Sequence, residues 1–95
     1  MAALDVKSGL QSIAAGSVLD IRPGTGEEWV INNLYYGGSV EINRTDGTNV
    51  LKFDSDLNFG GRIGTIYRCT NSQWLQIKNT GTTSILIGYD GVQTK

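Results

Sequence analysis

The feature that most constrains this fold is the alternation of apolar and polar residues in short runs separated by glycine-containing turns. In Val40–Asn43 and Leu75–Lys78 the two kinds of residue alternate one by one. Successive side chains of a strand point to opposite faces, so such runs are typical of half-buried strands. Beyond the first fifteen residues, no apolar spacing of three and four continues for three turns, as an amphipathic helix requires. The sequence therefore predicts an all-β protein.

Seven strands are predicted from these runs, at Ser17–Ile21, Glu28–Tyr36, Ser39–Thr45, Val50–Ser55, Thr65–Thr70, Gln73–Asn79 and Ser84–Val92. Seven or eight short strands in 95 residues indicate a small antiparallel β-sandwich or jelly roll. The run Glu28–Tyr36 carries large apolar groups on both faces, which predicts a central strand. Alternation predicts a core of Leu19, Ile21, Val40, Ile42, Leu51, Phe53, Ile66, Trp74, Leu75, Ile77, Ile85 and Ile87.

Turn residues indicate how these strands connect. Glycine-containing turns at 36–39, 45–48 and 79–82 predict three antiparallel hairpins. Pro23 follows a predicted strand and precedes Gly24, and proline cannot donate a ladder hydrogen bond. We therefore expect the loop at Pro23 to cross between sheets.

The N-terminal segment has a different pattern, and we expect residues 1–15 to form an N-terminal arm or an edge strand, with residues 16–95 forming the β-sandwich domain. The spacing of its apolar residues also fits a short helix. An extended arm commonly adds a strand to a neighbouring sheet, so Leu4 and Val6 are candidate contacts with a partner or another copy. Tyr36 and Tyr89, near a turn and the C-terminus, are two further candidates.

Charge and hydropathy argue against two classes of partner. The chain has 8 basic and 9 acidic residues, a net charge of -1, and no block of either sign. Binding to nucleic acid usually needs a basic stripe, and a membrane helix needs about 18 consecutive apolar residues. We expect neither nucleic acid nor membrane as a partner, and the N-terminus has no pattern of a secretory signal.

The residues that usually carry chemistry are scarce. The chain contains no histidine, which removes histidine-dependent nucleophiles and metal sites, and Cys69 is the single cysteine, expected to be a buried apolar residue. Asp54–Gly60 has oxygen side chains at alternate positions but Phe59 where a calcium loop needs glycine. Glu27 and Glu28 are adjacent and would face opposite sides of a strand. We therefore expect no enzyme activity, no metal and no cofactor.

Several stretches of the sequence resemble small β-sandwich or jelly-roll proteins of tailed bacteriophage virions. They are "IAAGSV" at 13–18, "IRP" at 21–23, "GEEWVI" at 26–31, "WLQIKN" at 74–79 and "GYDGV" at 88–92. Proteins of this kind include capsid decoration, or cement, proteins, which commonly sit as trimers on the icosahedral shell and brace it against the pressure of the packaged DNA. The resemblance does not identify any individual residue that contacts the capsid.

The resemblance implies a non-enzymatic structural protein that is made in the host cytoplasm and binds the outer surface of the phage head. Its implied partners are the major capsid protein and, as a homotrimer, further copies of itself. A head-fibre or tail component is an alternative. A carbohydrate-binding module is another, because Trp29, Trp74 and the tyrosines on a β scaffold are residues that stack on sugar rings.

Overall fold

A computed structural model describes residues 5–95 of the chain. This part contains eight β-strands and no helix. The strands are β1 (Val6–Ile13), β2 (Val18–Ile21), β3 (Glu28–Tyr36), β4 (Val40–Thr45), β5 (Val50–Asp56), β6 (Gly60–Thr70), β7 (Trp74–Asn79) and β8 (Ile85–Gln93). The all-β prediction is confirmed.

The strands form two four-stranded antiparallel sheets that pack face to face. The first sheet has the order β1-β8-β3-β6 and the second has the order β2-β7-β4-β5. The first strand thus pairs with the eighth, the second with the seventh, the third with the sixth and the fourth with the fifth. This nested pairing is the eight-stranded jelly roll, the more specific of the two architectures that the sequence indicated. Strand β3 lies between β8 and β6, so its predicted central position is confirmed.

One of the three predicted hairpins is confirmed. Strands β4 and β5 pair from Thr45 opposite Val50. The turn between them is closed by Asp46, whose Oδ1 accepts the Asn49 N–H at 2.7 Å, and by Gly47, which has a φ of 95°. An L-residue with a side chain rarely adopts that φ, so the Asp-Gly pair is a specific requirement of this turn.

The hairpins predicted at 36–39 and 79–82 are wrong, because each of these turns joins strands of different sheets. Glycine permits a sharp corner between two packed sheets as readily as a tight hairpin, and local turn chemistry does not distinguish them. The expected crossing at Pro23 is confirmed, since β2 and β3 lie in different sheets.

Two strands differ from the sequence prediction by more than one residue at an end, whereas the other six agree within one residue. Strand β1 pairs with β8 from Val6 opposite Val92 to Ile13 opposite Ile85, so residues 6–13 form an edge strand of the first sheet. Strand β6 begins at Gly60, five residues earlier than predicted. Its glycines are structural: a Cβ at Gly61 would lie 2.6 Å from the backbone oxygen of Leu34. Glycine in a strand marks close backbone approach.

The core lies between the sheets. Its buried apolar side chains within the described residues are Ile13, Leu19, Ile21, Ile31, Leu34, Tyr36, Val40, Ile42, Cys69, Trp74, Leu75, Ile77 and Ile87. Eight of the twelve predicted core residues are in this set, and Ile85 packs against it. The remaining three predictions, Leu51, Phe53 and Ile66, are wrong because these side chains are exposed.

Leu51 and Ile66 are exposed for two different physical reasons, and Phe53 is an extra, unpaired residue of β5. Leu51 lies opposite Arg44, which lies opposite buried Leu75, so register places Leu51 on the inner face of the second sheet. Strand β5 is an edge strand, however, and leaves that inner-facing side chain uncovered. Ile66 has the opposite phase, because its neighbour Tyr67 pairs with buried Ile31 on the inner face.

Candidate interaction surface

The structure places the four predicted contact residues in different surroundings. Leu4 lies outside the described residues. Val6 is 74% exposed at the start of the edge strand β1. Tyr89 is half-buried, and its ring stacks on Trp29 with the centroids 6.5 Å apart. Tyr36 is 4% exposed and belongs to the core, so its ring is not presented to a partner.

Tyr36 is buried because its hydroxyl completes a polar cluster that joins the two sheets. The hydroxyl donates to Asp56 Oδ2 at 2.8 Å and accepts from Arg62 Nη1 at 2.7 Å. Arg62 also donates through Nε to Asp54 Oδ2 at 2.8 Å. Tyr36 and Arg62 come from the first sheet, whereas both aspartates come from β5 of the second.

The pKa values in this cluster follow from the same contacts. Burial, with the hydrogen bond to Asp56, raises the pKa of Tyr36 to about 12. The hydrogen bond from Arg62 lowers the pKa of Asp54, and the hydrogen bond from Tyr36 lowers the pKa of Asp56. The alternating acids that resembled a calcium loop therefore pair with an arginine.

The other acids and the cysteine also have local structural roles. Glu27 accepts a hydrogen bond from Trp29 Nε1 at 3.1 Å, and Glu28 pairs with Lys95 at 3.6 Å. Cys69 is buried, as predicted, and burial raises the pKa of its thiol. In residues 5–95 no group of three or more histidine, cysteine or acidic side chains has an arrangement that would hold a metal ion.

The most unusual feature of the surface is the concentration of exposed apolar side chains on one side of the sandwich. Twelve large apolar residues of the described chain are strongly exposed, and seven of them lie on β5, β6 or the loop between these strands. We name these seven the β5–β6 surface: Val50, Leu51, Phe53, Leu57, Phe59, Ile63 and Ile66. Concentrations of this kind on a small domain mark interaction sites, whereas single exposed apolar residues are ordinary.

A groove of about 380 Å³ runs along this surface, lined by Arg44, Leu51, Phe53, Ile66, Tyr67, Arg68 and Leu75. Leu51 and Leu75 share the inner face of the second sheet. The Phe53 ring meets the edge of the Tyr67 ring, with the centroids 5.7 Å apart. The groove is therefore a part of the core that the two edge strands leave open to water.

Charges of both signs flank the groove. Arg44 donates to the backbone oxygen of Arg68 and lies 3.5 Å from Gln73 Oε1. Neither Arg44 nor Arg68 forms an ion pair with a carboxylate of residues 5–95. The opposite end of β5 carries Asp54 and Asp56, two acids that share the single charge of Arg62. The groove is thus lined by two arginines, and the acids lie outside it, further along β5.

The tryptophans do not form free flat faces. Trp74 is buried, and its Nε1 donates to Asp20 Oδ1 at 2.9 Å while Arg22 covers its ring at 4.0 Å. Trp29 stacks on Tyr89. The exposed aromatic rings of the described chain are Tyr35, Phe53 and Phe59. Sequence reasoning missed Phe53 as a surface residue because alternation and hydrophobicity favour a place in the core, and it assigned no place to the Phe59 ring.

Comparison with known proteins does not assign the chain to a family. No family model matches the sequence. No curated protein matches it either. Within residues 5–95 there is also no helix with the length and apolar character needed to cross a membrane.

Proposed function

We propose that this protein is a non-enzymatic structural component of a phage virion, a decoration protein that binds the outer surface of the head and stabilises it. The observation that carries this proposal is the β5–β6 surface, seven exposed apolar side chains on a domain of 95 residues. Jelly rolls of this strand order occur in viral capsid domains, and the sequence resemblance to small virion proteins agrees with that use of the fold. Fold by itself does not define function, so the exposed surface is the necessary second argument.

Physical chemistry supports binding by many shallow contacts. The domain offers an apolar surface with a mixed-charge rim, which suits contact with another protein better than enclosure of a small molecule. On an icosahedral shell the contact repeats many times. Linked contacts retain a protein far more strongly than any single contact does, because each further binding event is intramolecular.

The test uses shells of the virus that encodes this chain, purified without the protein. We expect added protein to co-sediment with expanded shells up to a fixed number of copies, and electron microscopy to reveal a protrusion at regular lattice positions. Decorated shells should also disrupt at a higher temperature than bare shells. If the folded protein neither co-sediments nor adds density, it is not a decoration protein of that shell.

Two finer proposals accompany this one. The first is that the protein acts as a homotrimer, which mass measurement in solution and on the shell tests directly. The second is that the N-terminal segment contributes to docking. Removing residues 1–4 leaves β1 intact, so we expect shell binding to weaken while the denaturation midpoint stays unchanged.

One observation favours carbohydrate binding as a second candidate. Tyr35 is 40% exposed on the first sheet, between Gly61 and Gly88, which carry no side chains to cover its ring. Its hydroxyl donates to Asp90 Oδ2 at 2.7 Å, and Asp90 also accepts from Asn33. An aromatic face beside an acid and an amide is a common sugar platform. A glycan array tests it: binding that is lost in Tyr35→Ala supports this candidate, and an array without any bound glycan rejects it.

A further inference from the structure

We infer that a cavity at one end of the sandwich, where β3 begins and β6 ends, binds the carboxylate of an organic acid. We name it the end cavity. Its volume is about 410 Å³, and none of the seven side chains of the β5–β6 surface lines it. Its wall includes the apolar groups of Trp29, Val30 and Cys69, and its charged residues are Arg44, Arg68 and Glu28. The site goes beyond the proposed function, because it belongs to the isolated protein and needs no shell.

The first argument is the position of Arg44, a cation on the inner face of the second sheet. Arg44 follows Ile42 by two residues on β4 and lies opposite Leu75 on β7, and both of these apolar side chains are buried. Alternation therefore directs the Arg44 side chain toward the space between the sheets, where it is half-buried. A charge in such a place costs free energy unless an opposite charge compensates it.

The chain itself does not supply that opposite charge. The polar neighbours of the Arg44 guanidinium are neutral: the backbone oxygen of Arg68, to which it donates, and Gln73 Oε1 at 3.5 Å. Glu28, the acid that lines the cavity, pairs with Lys95 at 3.6 Å. No other carboxylate of residues 5–95 pairs with either arginine. A guanidinium has five N–H donors, so donors remain for an anion in the cavity.

The second argument is the size and lining of the cavity, which define the class of ligand. Sites for small molecules have volumes of about 300–1,000 Å³ and are mostly apolar with a few polar groups. A carboxylate matches the fork of an arginine, and an apolar chain attached to it contacts Trp29 and Val30. Glu28 adds negative charge to the lining, which disfavours a doubly charged phosphate. The end cavity therefore suits a monocarboxylate with an apolar chain.

The experiment titrates the protein with hexanoate and follows its amide and indole N–H signals by NMR. We expect the signals of the Trp29 indole and of the Cys69 and Thr70 amides to shift saturably, with half-saturation near about 1 mM, because small ligands bind weakly. The Trp74 indole is the internal control, since Trp74 does not line the cavity. Hexanamide, which has the same shape without the charge, should bind at least about tenfold more weakly, and so should phosphate.

Three substitutions locate the site on the protein. Arg44→Gln and Arg68→Gln should each weaken hexanoate binding at least about tenfold, the factor expected for loss of one hydrogen bond between charged groups. Arg68 is exposed, so its substitution should not affect folding. Lys52→Gln removes a charge of the same sign outside the cavity and should leave binding unchanged. Denaturation in urea verifies that each variant is folded.

Three results would overturn the inference. The first is a wild-type protein whose Trp29 signal does not respond to hexanoate well above about 1 mM. The second is equal binding of hexanoate and either hexanamide or phosphate. The third is unchanged hexanoate binding in the folded Arg44→Gln and Arg68→Gln variants.

Two sources can present the carboxylate, a free organic acid or an acidic side chain of the shell protein. Saturating hexanoate, added to the co-sedimentation assay with shells, separates them. Release of the protein means that a side chain of the shell occupies the end cavity, and unchanged retention means that the ligand is a free acid. The titration itself uses no shells, so its failure leaves the decoration proposal standing.

Discussion

Asn79 provides the most direct test of how the two sheets are joined. It is the last residue of β7, fully buried, and its side chain forms three hydrogen bonds. Its Nδ2 donates to the backbone oxygens of Ile13 at 2.9 Å and Thr83 at 2.8 Å, and its Oδ1 accepts the N–H of Gly81 at 2.9 Å. One amide thus fastens the end of β1 in the first sheet and the crossover that leads back to β8.

The expected cost of Asn79→Ala follows from these contacts. Loss of the two bonds to Thr83 and Gly81 costs about 0.5–1.5 kcal/mol each, since water reaches both groups once the side chain is removed. The bond to Ile13 is buried, so its carbonyl oxygen loses its partner in a dry site, at about 1–3 kcal/mol. The total is about 2–6 kcal/mol, with about 4 kcal/mol as the central value. The free energy of unfolding of a native protein is about 5–15 kcal/mol, so this loss is a large part of the total stability.

Equilibrium denaturation in urea measures the effect, at protein concentrations low enough to keep the chain monomeric. Asn58→Ala is the matched control, because Asn58 is exposed and its side chain forms no hydrogen bond with residues 5–95. We expect the control to stay within about 0.5 kcal/mol of the wild type. A loss below about 1 kcal/mol for Asn79→Ala would refute the reasoning, since it would mean that the buried bonds do not hold the crossover.

Asn79→Asp separates hydrogen bonding from packing. It keeps the size of the side chain but replaces the two donated N–H groups by a carboxylate oxygen that faces the oxygens of Ile13 and Thr83. The native state then favours the protonated carboxyl, so the stability of this variant should fall as pH rises above about 3.9, the ordinary aspartate pKa. A variant whose stability relative to the wild type does not change with pH would contradict the donor assignment.

Three further predictions concern the core and its polar cluster. Because the folded pKa of Tyr36 is about 12 and its ordinary value is 10.0, wild-type stability should fall between pH 10 and pH 12, and this contribution should be missing in Tyr36→Phe. Gly91→Ala should destabilise by about 3 kcal/mol or more, because its Cβ would overlap the backbone oxygen of Val30, whereas Gly37→Ala meets nothing closer than 3.6 Å. Cys69 should resist alkylation at neutral pH in the folded protein and react at once in denaturant, as mass spectrometry would detect.

Each of these predictions has a contradicting result. If the stabilities of the wild type and Tyr36→Phe fall in parallel above pH 10, ionisation of Tyr36 does not contribute to the pH dependence of stability. Equal denaturation midpoints for Gly91→Ala and Gly37→Ala would mean that β3 and β8 do not approach as closely as described. Rapid labelling of Cys69 without denaturant would place its thiol at the surface.

The sequence was sufficient to predict the fold class, because strand periodicity is a local property. The run Val40–Asn43 alternates wherever it is placed in a sheet, and Asp46-Gly47 makes the same tight turn in any hairpin. Which strands pair is decided by contacts far apart in the chain. Val6 pairs with Val92. No local pattern distinguishes this pairing from pairing with another strand that has the same alternation of apolar and polar residues. For that reason two sheet crossings were predicted as hairpins.

The β5–β6 surface could not be predicted from the sequence for a related reason. Leu51 has the pattern of a core residue, and its direction was predicted correctly, but exposure depends on what the other sheet places over it. Tyr36 was expected at the surface from its position beside a turn, and it is buried because Asp56 and Arg62 satisfy its hydroxyl inside the protein. Periodicity gives the direction of a side chain, whereas the neighbouring layer decides whether it meets water.

Both strands that border the groove are irregular, and this bears on how a partner can bind there. Strand β5 has one extra residue, Phe53, opposite the step from Ile42 to Asn43, and β6 carries extra residues around Gly64, which has a φ of 72°. Bulges break the regular row of backbone groups at a sheet edge, and the exposed Lys52 charges the same edge. Open-ended strand addition is therefore disfavoured at the side of the sandwich that is richest in exposed apolar residues. A partner must recognise the side chains in the groove, which favours a defined contact over aggregation.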